Sequence, residues 1–180
     1  MKKTIPSLLA LTTATVGLVL WQPHLVPVSV AQVTPQQDSS QGSPDPRVQA
    51  ALDGLGFNYE IQDSGAFRIG LRFEDGRTQV AFISSGTSTL GDLEIRDITS
   101  PVNVTDGPLS AETANQLLQD NASKKLGAWQ TVELSDQRHL TMFTARIDAN
   151  SSPEQLQSAL YGVLYTADAM EAELSDSDRF

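Results

Sequence analysis

The chain has 180 residues, a length that suits one ordinary domain, and hydrophobic residues make up 39% of it, enough to build a core. Its formal net charge is −10, and an acidic surface repels phosphate backbones and anionic lipid heads, which argues against nucleic-acid and membrane-surface binding. Cysteine is absent, so disulfides, thiol catalysis and thiolate metal sites are excluded.

Residues 1–31 resemble a cleavable secretory signal peptide. Lys2 and Lys3 precede an apolar stretch over residues 5–21, and Ser29-Val30-Ala31 supplies the small side chains that signal peptidase accepts. The alternative is an uncleaved anchor, although the apolar stretch is shorter than the roughly 20 residues that cross a bilayer. We therefore expect cleavage after this triplet and a mature protein in the periplasm or outside the cell.

A flexible leader is predicted over residues 32–44, because this Gln/Ser/Pro-rich stretch has too few apolar side chains to pack. The predicted domain spans residues 45–175. It opens with a helix, since Asp45 and Pro46 form an N-cap followed by proline at the first helical position, and Gly56 can end the helix. Apolar residues recur at helical spacing in between, at Val48, Ala51, Leu52 and Leu55.

The pattern then changes to alternation, which predicts strands over residues 57–61 and 67–73, around 80–82, and over 90–99. Glycine-containing turns at residues 63–65 and 75–76 suit hairpins. Alternation predicts a sheet with one solvent-exposed face and one face packed on helices. The residues expected on the packed face are Phe67, Ile69, Leu71, Phe73, Val80, Phe82, Leu93 and Ile95.

The second half of the chain predicts the helices that cover this sheet. Ser110 can cap a helix that places Leu117, Leu118 and Leu126 on one stripe and ends at Gly127. Strands follow over residues 129–134 and 140–147. A capping box at residues 152–155 begins the last helix, and residues 176–180 are predicted as a loose acidic tail. The order α-β-β-β-β-α-β-β-α is that of an α+β domain with helices packed on one face of an antiparallel sheet.

Catalytic chemistry finds little support. Ser135, Asp136 and His139 are the residue types of a nucleophilic triad, but they sit together at a predicted turn, whereas triad members converge from separate elements. His139 is the one histidine after residue 31, so no metal-ligand set is apparent, and no cofactor-binding glycine loop is present. We predict no catalytic residue, no metal and no cofactor, and keep an envelope hydrolase as the least favoured alternative.

Two groups of residues are candidates for binding. Arg68 and Arg72 share the predicted outer face and Arg77 lies across the turn, so their guanidiniums can hold a carboxylate or phosphate. The alternative is ordinary ion pairing with acidic residues on neighbouring strands, namely Glu60, Asp92 and Glu94.

Aromatic residues form the second group. Tyr161 and Tyr165 lie one turn apart on the last helix, and with Trp129 they can mark a surface for a partner or a second copy, because such rings combine apolar area with a polar tip. Alternatively, these rings simply cover the edge of the core.

Three stretches also carry a resemblance to a known family. They are residues 75–82 (Asp-Gly-Arg-Thr-Gln-Val-Ala-Phe), residues 98–102 (Ile-Thr-Ser-Pro-Val), and Leu117 through Trp129, with Asn121 followed by Lys125-Leu126-Gly127-Ala128-Trp129. Over residues 48–173 the chain resembles the YbjN family of bacterial proteins, whose domains are similar to type III secretion chaperones. The resemblance implies an antiparallel sheet with helices against it, often paired into dimers, that binds proteins or peptides and has a sensory or regulatory role. The signal peptide departs from most relatives and points away from a cytoplasmic role.

We therefore expect a non-catalytic protein- or peptide-binding module of the bacterial envelope, chaperone-like or regulatory, with an exposed apolar patch on the sheet or the last helix. The partner is not identified by the sequence, and pairing into a homodimer is left open. The alternative is a protein that binds small anions or small molecules through the outer-face arginines.

Overall fold

Residues 42–175 and 177–180 are described by a computed structural model. The predicted signal peptide and all but the last three residues of the predicted leader lie outside this part of the chain. The element order confirms the predicted α+β arrangement. The elements are α1 (Pro46–Leu55), β1 (Glu60–Ile61), β2 (Phe67–Arg72), β3 (Thr78–Leu90), β4 (Leu93–Thr105), α2 (Ala111–Asn121), β5 (Ala128–Glu133), β6 (His139–Asp148) and α3 (Pro153–Leu174).

The ends of the helices follow the predicted capping residues. The Asp45 carboxylate accepts the Arg47 N–H at 2.8 Å, and Gly56 ends α1 with a left-handed φ of 73°. At α3, Ser152 Oγ accepts the Gln155 N–H while the Gln155 side chain accepts the Ser152 N–H, which completes a capping box. Within residues 42–175 and 177–180, no helix has the length and apolar character needed to cross a membrane.

The six strands form one antiparallel sheet in the order β1-β2-β3-β4-β6-β5. Helix α3 packs against β3, β4 and β6, with α1 beside it, while α2 contacts β5. The core lies between α3 and one face of the sheet. Its fully buried members include Leu52, Phe67, Ile83, Ile98, Leu160 and Leu164.

The predicted packed face of the third strand is wrong by one residue. In the register, Phe67 pairs with Ile83 and Ile69 pairs with Ala81, so Ala81 and Ile83 face the helices. Val80 and Phe82 therefore face the opposite side. Residues 80–83 are all apolar, and alternation alone cannot assign such a run to one face.

The predicted orientation of the fourth strand is also wrong, for a different reason. Ile98 is in the core, so Arg96 also points toward the helices, while Leu93 and Ile95 point away. The sequence pattern favoured the opposite orientation because it treated the arginine as a surface residue. Arg96 is only 1% exposed, because the Asp45 carboxylate neutralises its charge.

Helix α2 is shorter than predicted. It ends at Asn121 rather than near Gly127, because a turn over residues 122–124 leads directly toward β5. Leu117 is buried as expected. Leu118 and Leu126 do not join it and are 66% and 38% exposed.

Candidate functional site

The sheet face that points away from α1 and α3, called the open face here, carries apolar side chains at its centre. Val80 and Phe82 on β3 share it with Pro101 on β4 and with Leu140 and Met142 on β6, as the strand register requires. These five residues form the floor of a groove of about 380 Å³. The open-face groove is completed by Arg68, Thr99, Arg179 and Phe180.

The rim of the groove is basic. Arg68 lies on β2 opposite Phe82 and makes one ion pair, with Glu60 at 3.3 Å on the exposed edge strand. Arg179 donates from its Nε to Ser177 Oγ at 3.0 Å. A surface pair such as Arg68–Glu60 contributes only about 0–1 kcal/mol, so a ligand carboxylate can compete for the guanidinium. The groove thus combines an apolar floor with a guanidinium, that of Arg68, whose ion pair with Glu60 a ligand carboxylate can replace.

The chain end, predicted as a loose tail, is held in place instead. The Asp178 carboxylate accepts the Thr78 N–H at 3.1 Å and the Thr78 hydroxyl at 3.1 Å. Glu171 on α3 accepts the Arg179 N–H at 2.8 Å. These hydrogen bonds carry residues 177–180 past the start of β3 and place Phe180 in the groove.

A second apolar area lies on the open face at the tip of the β3–β4 hairpin. Leu90 and Leu93 pair directly across the turn and are 67% and 44% exposed. The ion pair between Asp97 and Arg146, at 3.4 Å, separates this tip from the groove. The open face is therefore divided into a central groove and an outlying hairpin tip.

The three predicted anion-binding arginines do not converge. Arg77 turns toward the helices, where its Nε donates to Asp168 on α3 at 2.7 Å, with Glu171 at 3.5 Å. The Asp168 carboxylate is the main reason that the pKa of Arg77 is raised above its ordinary value. Arg68 and Arg72 share the other face, because they lie four residues apart on β2. The structure thus does not bring the three guanidiniums together: Arg68 and Arg77 make ion pairs, and Arg68 is the one of the three that lines the groove.

The two tyrosines form part of an aromatic row on the outer side of α3. Phe57 and Tyr161 have ring centroids 5.9 Å apart, Tyr161 and Tyr165 are 6.2 Å apart, and Tyr165 lies 5.3 Å from Phe73. Tyr161 is half-buried, while Tyr165 is 58% exposed. The row covers the core edge at one end and presents an exposed ring at the other.

Trp129 is in the core and does not join this row. Its ring packs edge-on against Phe143 with centroids 4.9 Å apart, and its indole N–H donates to Asp120 at 2.6 Å. Burial alone would raise the pKa of Asp120, but the hydrogen bonds from Trp129 and Lys124 outweigh it, so this pKa is lowered. The Asn121 side chain accepts the Trp129 backbone N–H at 2.7 Å, which joins the end of α2 to the start of β5.

The polar turn before β6 has no triad geometry. Asp136 is bound to Arg138 Nε at 2.7 Å, and the buried Nδ1 of His139 has no hydrogen-bond partner among the described residues. The hydrogen bond that would orient a catalytic histidine is therefore not formed there. Nor does the described part of the chain contain a cluster of three His, Asp or Glu side chains suited to a metal ion.

An exposed apolar patch on the sheet or the last helix was expected, but not this groove, since Val80 and Phe82 were expected under the helices and residues 176–180 were expected to be loose. One available signal was the presence of apolar residues on both faces of two strands, at residues 80–83 and 140–143. Such runs predict a strand that is covered on both sides. The helices cover only one of those sides.

No protein-family model matches the sequence, and no curated protein matches it. Among solved structures, the crystal structure of YbjN from E. coli, provisionally described as a transcription regulator, is similar to this chain, with a TM-score of 0.47 and 14% identity. The similarity covers 71% of this chain and 90% of YbjN. It is a likeness of the fold, and no residue role or activity follows from it.

Proposed function

We propose that this chain is a non-catalytic binding module that holds a protein or peptide segment in the open-face groove. The observation that carries the proposal is the groove itself, which has an apolar floor, a basic rim and no covering helix in the described part of the chain. Val80 and Pro101 are buried in this floor, while Phe82, Leu140 and Met142 remain partly exposed. Partly exposed apolar side chains gathered at one place mark interaction sites on protein surfaces.

The partner we propose is a segment with large apolar side chains beside carboxylates. Apolar side chains match the floor, and carboxylates match the guanidinium of Arg68 at the rim. The charge match is selective, because the chain as a whole has 22 acidic and 12 basic residues and repels acidic partners elsewhere. Reversible shielding of such a segment is a chaperone-like role.

Export is the second part of the proposal. It rests on the signal-peptide pattern of residues 1–31 and places the binding module in the bacterial envelope or outside the cell. Sequencing the N-terminus of the protein recovered from envelope and culture fractions tests it. A start at Gln32 supports cleavage and export, whereas an intact Met1 in the cytoplasm would overturn this part.

Binding is tested with a fluorescein-labelled ten-residue peptide of alternating leucine and aspartate, followed by fluorescence anisotropy. Peptides that alternate serine with aspartate, or leucine with lysine, separate the apolar contribution from the charge contribution. We expect the leucine–aspartate peptide to bind most tightly. Equal binding of all three peptides, or of none, would contradict the proposed function.

Two variants locate the binding site. Met142→Asp puts a carboxylate in the groove floor and should weaken binding by about tenfold or more, as loss of a central contact does. Tyr165→Asp makes the same chemical change on the exposed part of α3 and should leave binding unchanged. If Tyr165→Asp weakens binding and Met142→Asp does not, the binding site is the aromatic row instead.

A small anionic molecule is the second candidate ligand, favoured by the volume of the groove. About 380 Å³ lies within the roughly 300–1,000 Å³ that small-molecule sites occupy. A medium-chain fatty acid has the matching chemistry, with an alkyl tail for the floor and a carboxylate for Arg68. If octanoate raises the melting temperature in an Arg68-dependent way while the leucine–aspartate peptide does not bind, this second candidate replaces the first.

Pairing into a homodimer stays a proposal as well. Strand β5 forms one edge of the sheet, and its Val132 is 44% exposed. Exposed edge strands are frequent sites of strand addition. Light scattering over a range of concentrations measures the mass directly, and a monomer mass throughout would remove pairing from the proposal.

A further inference from the structure

Residues 177–180, called the C-terminal strap here, are attached to the domain just before they reach the open-face groove. The first attachment is the Asp178 carboxylate on Thr78, which accepts both the backbone N–H and the side-chain hydroxyl. The second is the Arg179 backbone N–H, which donates to Glu171 Oε1 at 2.8 Å. Both attachments lie at the end of the sheet where β3 begins.

The second attachment uses a residue that is unusual in a protein core. Glu171 is 0% exposed, and an ionised carboxylate at such a depth is costly unless it is paired and hydrogen-bonded. Its two oxygens are satisfied by the Arg179 N–H and by the guanidinium of Arg77 at 3.5 Å. The strap therefore supplies one of the two partners that the buried carboxylate needs.

Beyond these attachments, the strap enters the proposed binding site. Phe180 is half-buried and lines the groove together with Val80, Phe82, Leu140 and Met142. Its ring is a large apolar group against an apolar floor, and Arg179 stands beside it at the rim. An apolar side chain of a partner would use the same floor.

We propose that the C-terminal strap covers part of the apolar floor of the open face, and that a partner segment with an apolar side chain beside a carboxylate displaces it. The inference rests on the proposed function, since it concerns the regulation of that same groove. An occupant attached to the domain competes at a high effective concentration, so it lowers the apparent affinity for an external ligand. The apparent dissociation constant rises in inverse proportion to the fraction of molecules with an open groove.

Removing the ring of Phe180 tests the competition. With the labelled leucine–aspartate peptide, Phe180→Ala should bind at least about threefold more tightly than the original chain, because a larger fraction of grooves is open. Asp178→Ala releases one attachment while keeping the ring, and it should also tighten binding. Tyr165→Ala removes an exposed aromatic ring outside the groove and should change nothing.

The outcomes separate the inference from the function on which it rests. If the original chain binds the peptide and Phe180→Ala binds it equally or more weakly, the strap is not a competitor and the inference is overturned. If neither the original chain nor any variant binds, the proposed function fails and the inference fails with it. Circular dichroism of each variant verifies that the fold is retained.

Discussion

Arg96 and Asp45 form a buried ion pair that joins the first part of β4 to the residue before α1. Arg96 is 1% exposed and the Asp45 side chain 9%. The same carboxylate caps α1 through the Arg47 N–H, and the Arg96 guanidinium also donates to the carbonyls of Ser84 and Ser85. Arg96 therefore links β4 to β3 and to the start of α1.

Arg96→Met is expected to lower the free energy of unfolding by about 1.5–3 kcal/mol, because it removes a buried hydrogen bond to the charged Asp45 carboxylate, which then keeps only its pair with the more exposed Arg47. Urea denaturation followed by circular dichroism measures the change. Arg146→Met is the matched control, since Arg146 also pairs with an aspartate, Asp97, but is 66% exposed. The control should cost no more than about 1 kcal/mol. Equal losses in the two variants would show that burial of the pair is unimportant.

Low pH should lower the free energy of unfolding through protonation of Glu94, which lies close to the Arg96–Asp45 pair on β4. Hydrogen bonds from Arg47, and then from Thr87, lower the pKa of Glu94 from its ordinary 4.5 to about 2. A carboxyl with a lowered folded-state pKa stabilises the fold above its unfolded pKa, and this contribution is lost as pH falls from 4.5 toward 2. Asp45 acts in the same direction, because hydrogen bonds from Arg47 and Arg96 outweigh the effect of burial and lower its pKa.

Stability measured against pH in the original chain and in Glu94→Gln checks this. The variant should be less stable at neutral pH and should show a flatter decline over that acid range. Glu171 works in the opposite sense, because burial raises its pKa and its charge therefore opposes folding at neutral pH. Identical pH profiles for the two chains would contradict the role given to Glu94.

Local patterns were enough to predict the elements and their order. Asp45, Ser110 and Ser152 each precede a helix with a residue type whose side chain accepts a backbone N–H, and all three caps form. Strand orientation needed more than local information. Residues 80–83 are apolar on both faces, and Arg96 is buried by a carboxylate 51 residues away in sequence.

The groove could not be predicted for the same reason. Its position depends on the orientation of β3, and one wall comes from residues 179 and 180, which reach it only through contacts with Glu171 and Thr78. Long-range hydrogen bonds of this kind leave no periodic signal in the sequence. Arg77 is a further example, because its partner Asp168 lies on the last helix.

Gly127 occupies a position that other residues do not fit. Its φ is +79°, and an added Cβ would lie 2.5 Å from the Thr144 carbonyl oxygen and 2.8 Å from the ring of Phe143. Gly127→Ala should lower the free energy of unfolding by more than about 1–2 kcal/mol, because the left-handed conformation alone costs that much and the contacts add to it. Thermal and urea denaturation measure the loss.

Gly162→Ala is the control for that substitution. Gly162 lies within α3, and an added Cβ would meet no heavy atom within 4 Å. Alanine there should raise the free energy of unfolding by about 0.5–1 kcal/mol through its higher helix propensity. A loss of stability in both variants would refute the distinction between the two glycines.

Asp120→Ala should also destabilise the fold, because it removes the acceptor of the buried Trp129 indole N–H. Loss of a hydrogen bond to a charged group at such a place costs about 1.5–3 kcal/mol. Asp136→Ala is the comparison, since Asp136 lies in an exposed turn and contacts only Arg138 at 2.7 Å. Urea denaturation of the two variants measures both losses. Equal losses of stability would contradict the structural role of Asp120.

Binding of an apolar and acidic segment in the open-face groove is tested most directly by the methyl signals of the methionines. Met142 lies in the groove floor, while Met170 lies on the buried side of α3 and is 4% exposed. In the methyl-¹³C-methionine-labelled chain, titration with the leucine–aspartate peptide should shift the Met142 signal progressively and leave the Met170 signal in place. A Met142 signal that stays unchanged at saturating peptide would contradict the claim.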